Sequence, residues 1–183
     1  MEVIEQVIAE EVITYMLYFS KKEEKKSCMM IQGNWKKSLK KGIEGRTLGL
    51  IGFGKIGKEV AKRAVSLGMR ILYYRPHGRN MSEGIYDATY SSLDIVLSSS
   101  DFVVICVPLN EGTKGMADIN MIKKMKKSAY IIDVSEDGVM NRNDLKYALD
   151  KKIISGAAID VYEKDSFIYS ILGQYDNVIL TSI

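Results

Sequence analysis

The sequence predicts a doubly wound α/β domain around one parallel sheet, and three observations carry that expectation. Short runs such as residues 47–53 and 130–134 are apolar throughout rather than alternating, as strands covered on both faces are. From about residue 45 these runs alternate with amphipathic stretches at helical spacing. Gly52, Gly54 and Gly57 fall between the first such strand and the first such helix, in "LIGFGKIGKEVA".

The elements follow in order. Ile4, Ile8, Val12, Tyr15, Met16 and Phe19 recur at helical spacing over residues 3–19, and Val3, Val7, Ile13 and Leu17 widen the stripe beyond one face. A helix this apolar needs cover on more than one side. The lysine-rich stretches at 21–26 and 36–41 read as a solvated, mixed-charge surface. Residues 1–44 are thus expected to form a leading helix and basic connector, and 45–183 the sheet domain. There the pattern gives a strand at 47–53, a helix at 56–66 and a strand at 70–74 stopped by Pro76 and Gly78. A strand at 102–107 ends at Pro108, and a helix at 120–127 and a strand at 130–134 follow. Asn141 suits the cap of a helix running to Leu149, and strands at 153–161 and 178–181 close the pattern.

Composition narrows the function classes. The chain has 183 residues, 46% apolar and 27% charged, enough for a proper core, and its net charge of +3 is too mild to argue for nucleic acid. Cys28 and Cys106 show no CxxC spacing, which gives neither a disulfide framework nor a zinc site and suits a reducing cytosol. No apolar run approaches the roughly 18 residues of a membrane span. Glu2 and Glu5 do not make the basic start of a signal peptide. The expectation is a cytoplasmic protein with no membrane, nucleic-acid or metal partner.

A glycine triplet between strand and helix is a dinucleotide-binding pattern. Gly52 permits the tight turn, Gly54 lets the backbone approach a pyrophosphate, and Gly57 lets helix and strand pack closely. Free N–H groups at the helix start then meet the phosphate charge. At the end of the second strand, where an NAD site places a carboxylate for the ribose hydroxyls, the chain reads Arg75-Pro76-His77-Gly78-Arg79. Arginine there suits the 2′-phosphate of NADP, so NADP is expected over NAD, with Arg75 the main determinant and His77 and Arg79 in support.

These segments, with "SSLDIVLSSSDFVVICVPLNEGTKGMADINMIKKMKKSAYIIDVS", "GAAIDVYEKD" and "NVILTS", resemble the cofactor domain of the D-isomer-specific 2-hydroxyacid dehydrogenases over residues 8 to 182. The resemblance implies a Rossmann fold and cofactor contacts by position. Lys55 and Ile56 lie inside the glycine loop, and Val107, Pro108 and Thr113 lie where the chain passes the cofactor. Val134 and Ser135 lie near the nicotinamide ribose, and Asp160 by the carboxamide.

The family's catalytic positions are filled differently. Glu136 stands where an arginine clamps the substrate carboxylate. Asp165 stands where a glutamate orients the catalytic histidine, and Ile183 where that histidine follows Thr-Pro. The resemblance covers the cofactor domain only, and the family's substrate-binding domain is expected to be absent. The expectation is an NAD(P)-binding protein that is catalytically degenerate. The alternative is an active NAD(P)-dependent oxidoreductase with a non-standard base or a substrate lobe supplied by a partner. The apolar leading helix, and the family's habit of pairing through this domain, lead to the expectation of a homodimer.

Overall fold

Seven parallel strands form the sheet in the computed structural model, which describes residues 2–21, 42–76, 78–79, 83–160 and 167–181. The strands are β1 (Thr47–Ile51), β2 (Arg70–Tyr74), β3 (Ala88–Tyr90), β4 (Phe102–Ile105), β5 (Tyr130–Asp133), β6 (Gly156–Asp160) and β7 (Val178–Thr181). Their spatial order is β3-β2-β1-β4-β5-β6-β7, with every neighbouring pair parallel. The order reverses between β1 and β4, so a crevice opens at the carboxyl ends of those two strands. In doubly wound sheets this is where ligands bind.

Helices cover both faces. On one lie α1 (Glu2–Lys21) and α2 (Lys55–Ser66), which share a core with Leu48, Leu50, Ile71, Phe102, Val104 and Ile132. On the other lie α3 (Leu93–Ser99), α4 (Ile119–Ile122), α5 (Arg142–Asp150) and α6 (Phe167–Leu172), packed on Ile51, Val103, Ile105, Ile131 and Ile159. β1, β4, β5 and β6 therefore send alternate residues into two separate cores, which is why their runs are apolar on both faces, whereas β3 reaches only one. The α1 stripe finds its cover within this domain: Ile8, Ala9, Val12, Tyr15, Met16 and Phe19 are all buried. Phe19 stacks on Tyr130 at 4.4 Å between ring centres. Among the described side chains, Ile4, Val7 and Tyr18 are the large apolar residues of α1 that are exposed. No described helix is long and apolar enough to cross a membrane.

Element ends differ from the sequence expectation for local reasons. β1 stops at Ile51 because Gly52 turns the chain at φ +106°. The helix expected at 120–127 is a single turn capped by the Asp118 carboxylate on the Met121 N–H. Beyond it, bonds from Lys124 to Met121 and from Met125 to Ile122 tighten the backbone out of α geometry. β6 begins at Gly156 rather than 153, because Ile153 N–H still bonds back to Ala148 and Ser155 N–H to Ala129. Four elements had no sequence counterpart: β3, α3, α6 and a 3-10 turn at Glu83–Tyr86. β3 is three residues long, and the serines of α3 dilute its apolar stripe.

Candidate dinucleotide site

The crevice between β1 and β4 is floored by the glycine loop. Gly52 N–H donates to Tyr74 O, and a Cβ at Gly52 would lie 2.7 Å from Cys106 O. A Cβ at Gly57 would lie 2.8 Å from Gly52 O, so both positions need glycine for close packing of α2 on the strand ends. Gly54 is different. It is the N-cap of α2, makes no side-chain cap, and a Cβ there would meet nothing within 4 Å. Among the described residues nothing stands on its open side, the first turn of α2 carries no acidic residue, and Lys55 and Lys58 lie on it. A pyrophosphate fits such a helix start on both steric and electrostatic grounds. Phe53 anchors the loop from below, stacked on Tyr73 at 4.1 Å. Cys106 braces it from the side, its thiol donating to Ile51 O and Gly52 O. Burial, and secondarily the charge of Asp133, push that thiol up to about 12.

Arg75 follows β2 directly and is half-buried, with no hydrogen-bond or ion-pair partner among the described residues. Pro76 and Arg79 are exposed. His77 lies outside the described residues, so only the two arginines of that expected cluster are placed. Beyond β4, Val107 is buried and Pro108 exposed. Thr113 is buried and bends the loop back on itself. Its hydroxyl donates to Pro108 O at 2.6 Å and accepts from Asn110 N–H at 2.8 Å. Asn110 adds a second turn, its carboxamide oxygen accepting from the Gly112 and Thr113 amides. Sequence reasoning picked Thr113 and passed over Asn110, although an Asn two residues before a glycine is a turn signal.

The end of β5 holds a network that sequence reasoning missed. Asp133 is fully buried; one carboxylate oxygen accepts from the Ser135 amide at 3.0 Å and from the Ser135 hydroxyl, and the other accepts from Arg142 Nη1 at 2.6 Å. Ser135 therefore already has its hydroxyl engaged, and Val134 beside it is buried. Glu136, the next residue, is exposed on the loop. Asp137 approaches Arg142 Nη2 at 3.8 Å. The arginine closest in sequence to Glu136 is thus held inside the protein by Asp133.

Asp160 ends β6, buried, in register with Thr181 of β7. The Thr181 hydroxyl lies 2.6 Å from the Tyr15 hydroxyl of α1. Burial raises Tyr15 to about 12; the Thr181 bond partly offsets this, and the charges of Glu11 and Asp160 add to the rise. Asp165 and Ile183 lie outside the described residues. Among the described residues no group of three or more His, Cys, Asp or Glu is placed to hold a metal ion.

Residues 13–182 match the family model described as D-isomer specific 2-hydroxyacid dehydrogenase, NAD binding domain. The chain belongs to that family. It is 37% identical over 158 residues to a glyoxylate reductase of Pyrococcus horikoshii, covering 81% of this chain and 47% of the relative. Among solved structures it superposes on the NAD-complexed D-isomer specific 2-hydroxyacid dehydrogenase of Lactobacillus delbrueckii ssp. bulgaricus. The TM-score is 0.84 and the identity 27%, over 97% of this chain and 59% of that one. It superposes likewise on an acyclic imino acid reductase in complex with NADPH and D-Arg, with TM-score 0.81 and 25% identity, over 97% and 57%. The chain spans about half the length of the curated relatives it matches. What it carries is the family's NAD-binding domain.

Proposed function

We propose that this NAD-binding domain binds a nicotinamide dinucleotide with preference for NADP(H), and that it does not act on 2-hydroxy acids by the family's usual route. Glu136 is the observation that carries the second half. The family's chemistry needs a cation where the substrate carboxylate docks and a proton acceptor of near-neutral pKa beside the nicotinamide, which supplies the hydride when bound. An exposed carboxylate at the clamp position repels that substrate, and Arg142 is buried against Asp133 and cannot stand in. Tyr15 reaches Thr181, two residues before the histidine position, but a hydroxyl raised to about 12 is no base at neutral pH. The open helix start at Gly54 and the uncommitted Arg75 at the end of β2 support the cofactor half. We also propose that two copies of the chain pair.

Titration of NADPH and NADH, followed by nicotinamide fluorescence, tests the reading. NADPH should bind at least about tenfold more tightly, the scale of one charge-assisted pair, and Arg75→Asp should move preference to NADH. Adding glyoxylate, hydroxypyruvate or phenylpyruvate should give no steady turnover. Equal affinity for the two cofactors sinks the Arg75 assignment; steady turnover sinks the degenerate reading.

A further inference from the structure

We propose that Glu5, near the start of α1, competes with a bound pyrophosphate for the Lys55 ammonium, and so holds the nucleotide affinity of the glycine loop down. The proposal rests on the dinucleotide reading above and concerns a residue outside the loop itself. A hollow of about 250 Å³ beside the loop is lined by Glu5, Gln6, Lys55, Lys58, Glu59 and Tyr86. Two of its four charges have other partners: Glu59 meets Arg63 at 2.5 Å, and Lys58 lies over the Tyr86 ring of the same hollow at 6.0 Å. Glu5 and Lys55 remain for each other, Oε1 to Nζ at 3.6 Å.

The two partners are unequally held. The Glu5 side chain is only 19% exposed, and its second carboxylate oxygen is buried with no hydrogen-bond partner among the described residues. The Lys55 side chain is 76% exposed, on a flexible stem. The lysine is therefore the partner that can swing away. It is also the first residue of α2, next to the open side of Gly54, where phosphate charge would settle. With no acidic residue on the first turn of α2, the nearby acid that opposes an anion here is supplied by α1. Nucleotide binding must draw Lys55 off Glu5 and leave that buried carboxylate without its cation.

The test is titration of NADPH and NADH into the unaltered chain, Glu5→Gln, Glu5→Met, Lys55→Ala and the Glu5→Gln/Lys55→Ala double variant. Binding is read by fluorescence at low salt and at roughly 0.5 M salt, where a Debye length of a few Å screens the pair. Glu5→Gln should bind about two- to five-fold more tightly, the scale of an exposed ion pair. The gain should largely vanish in the Lys55→Ala background and at high salt. Glu5→Met supplies the same reading should the glutamine variant misfold. Unchanged or weaker binding on removing the acid overturns the proposal, as does a gain that survives loss of Lys55. If every variant binds nucleotide equally, only the role of Glu5 falls. If none binds, the dinucleotide reading falls and takes this inference with it.

Discussion

Arg142 is the first residue of α5, where the helix dipole disfavours a cation, yet it is buried and its guanidinium reaches Asp133 at 2.6 Å. Such a pair is costly to break from one side, because the remaining charge is left buried and uncompensated. Arg142→Met should therefore lower unfolding stability by about 3–5 kcal/mol. Adding Asp133→Asn, which removes the stranded charge, should recover about 2 kcal/mol or more on the same reasoning. Urea unfolding of the two singles and the double decides it, and additive losses would show that the two charges are not coupled. Cys106 and Tyr15 are raised from 9.0 and 10.0 to about 12, so the folded protein holds both protons where the unfolded chain releases them. Their contribution to stability is complete below about pH 9 and fades as pH rises from there towards 12. Unfolding midpoints measured from pH 8 to 11 should fall, and Tyr15→Phe with Cys106→Ala should flatten the fall. A profile already flat in the unaltered chain counts against it.

Among the elements, β1 and the end of α3 meet at a glycine. A Cβ at Gly49 would stand 2.3 Å from Ser100 Oγ and 2.8 Å from Val96 Cγ1. Gly49→Ala should push α3 off the sheet and cost about 1–3 kcal/mol, as overpacking does. A shift in midpoint below a few tenths of a kcal/mol would show that the serine simply swings aside. The same contact explains part of what the sequence could and could not show. β1, β2, β4 and β5 were legible because each faces two cores and carries a run of consecutive apolar residues. α3 was not, because it is short, fully buries only Val96 and Leu97, and ends in serines. The site divides the same way. Gly52, Gly54 and Gly57 declare themselves through backbone demands that only glycine meets. Asp133 with Arg142, Tyr15 with Thr181, and Glu5 with Lys55 are pairings across 9, 166 and 50 positions. No local pattern announces partners that only the fold brings together.

At the scale of the whole molecule, the expected homodimer changes its physical ground. The sequence suggested that α1 would need a second copy for cover, whereas its own sheet buries the main stripe. Ile4, Val7 and Tyr18 are left outward on one helix, and the proposed pairing would use them. Sedimentation at micromolar concentrations should show a dimer, and Val7→Glu should weaken it; a monomer throughout that range ends the idea. The placement of α1 has another consequence, for the chain as it is made. Residues 2–21 are made well before their cover, which includes Tyr130 and, through Tyr15, Thr181. Synthesis at roughly 5–20 residues per second keeps that apolar helix waiting for the order of ten seconds before its far partners exist. The face that α1 covers can close only after β5 and β7 have been made, and the core on the other face, which runs from Ile51 to Leu172, is also assembled across most of the sheet. The nascent chain thus carries an apolar helix without its far partners throughout that interval.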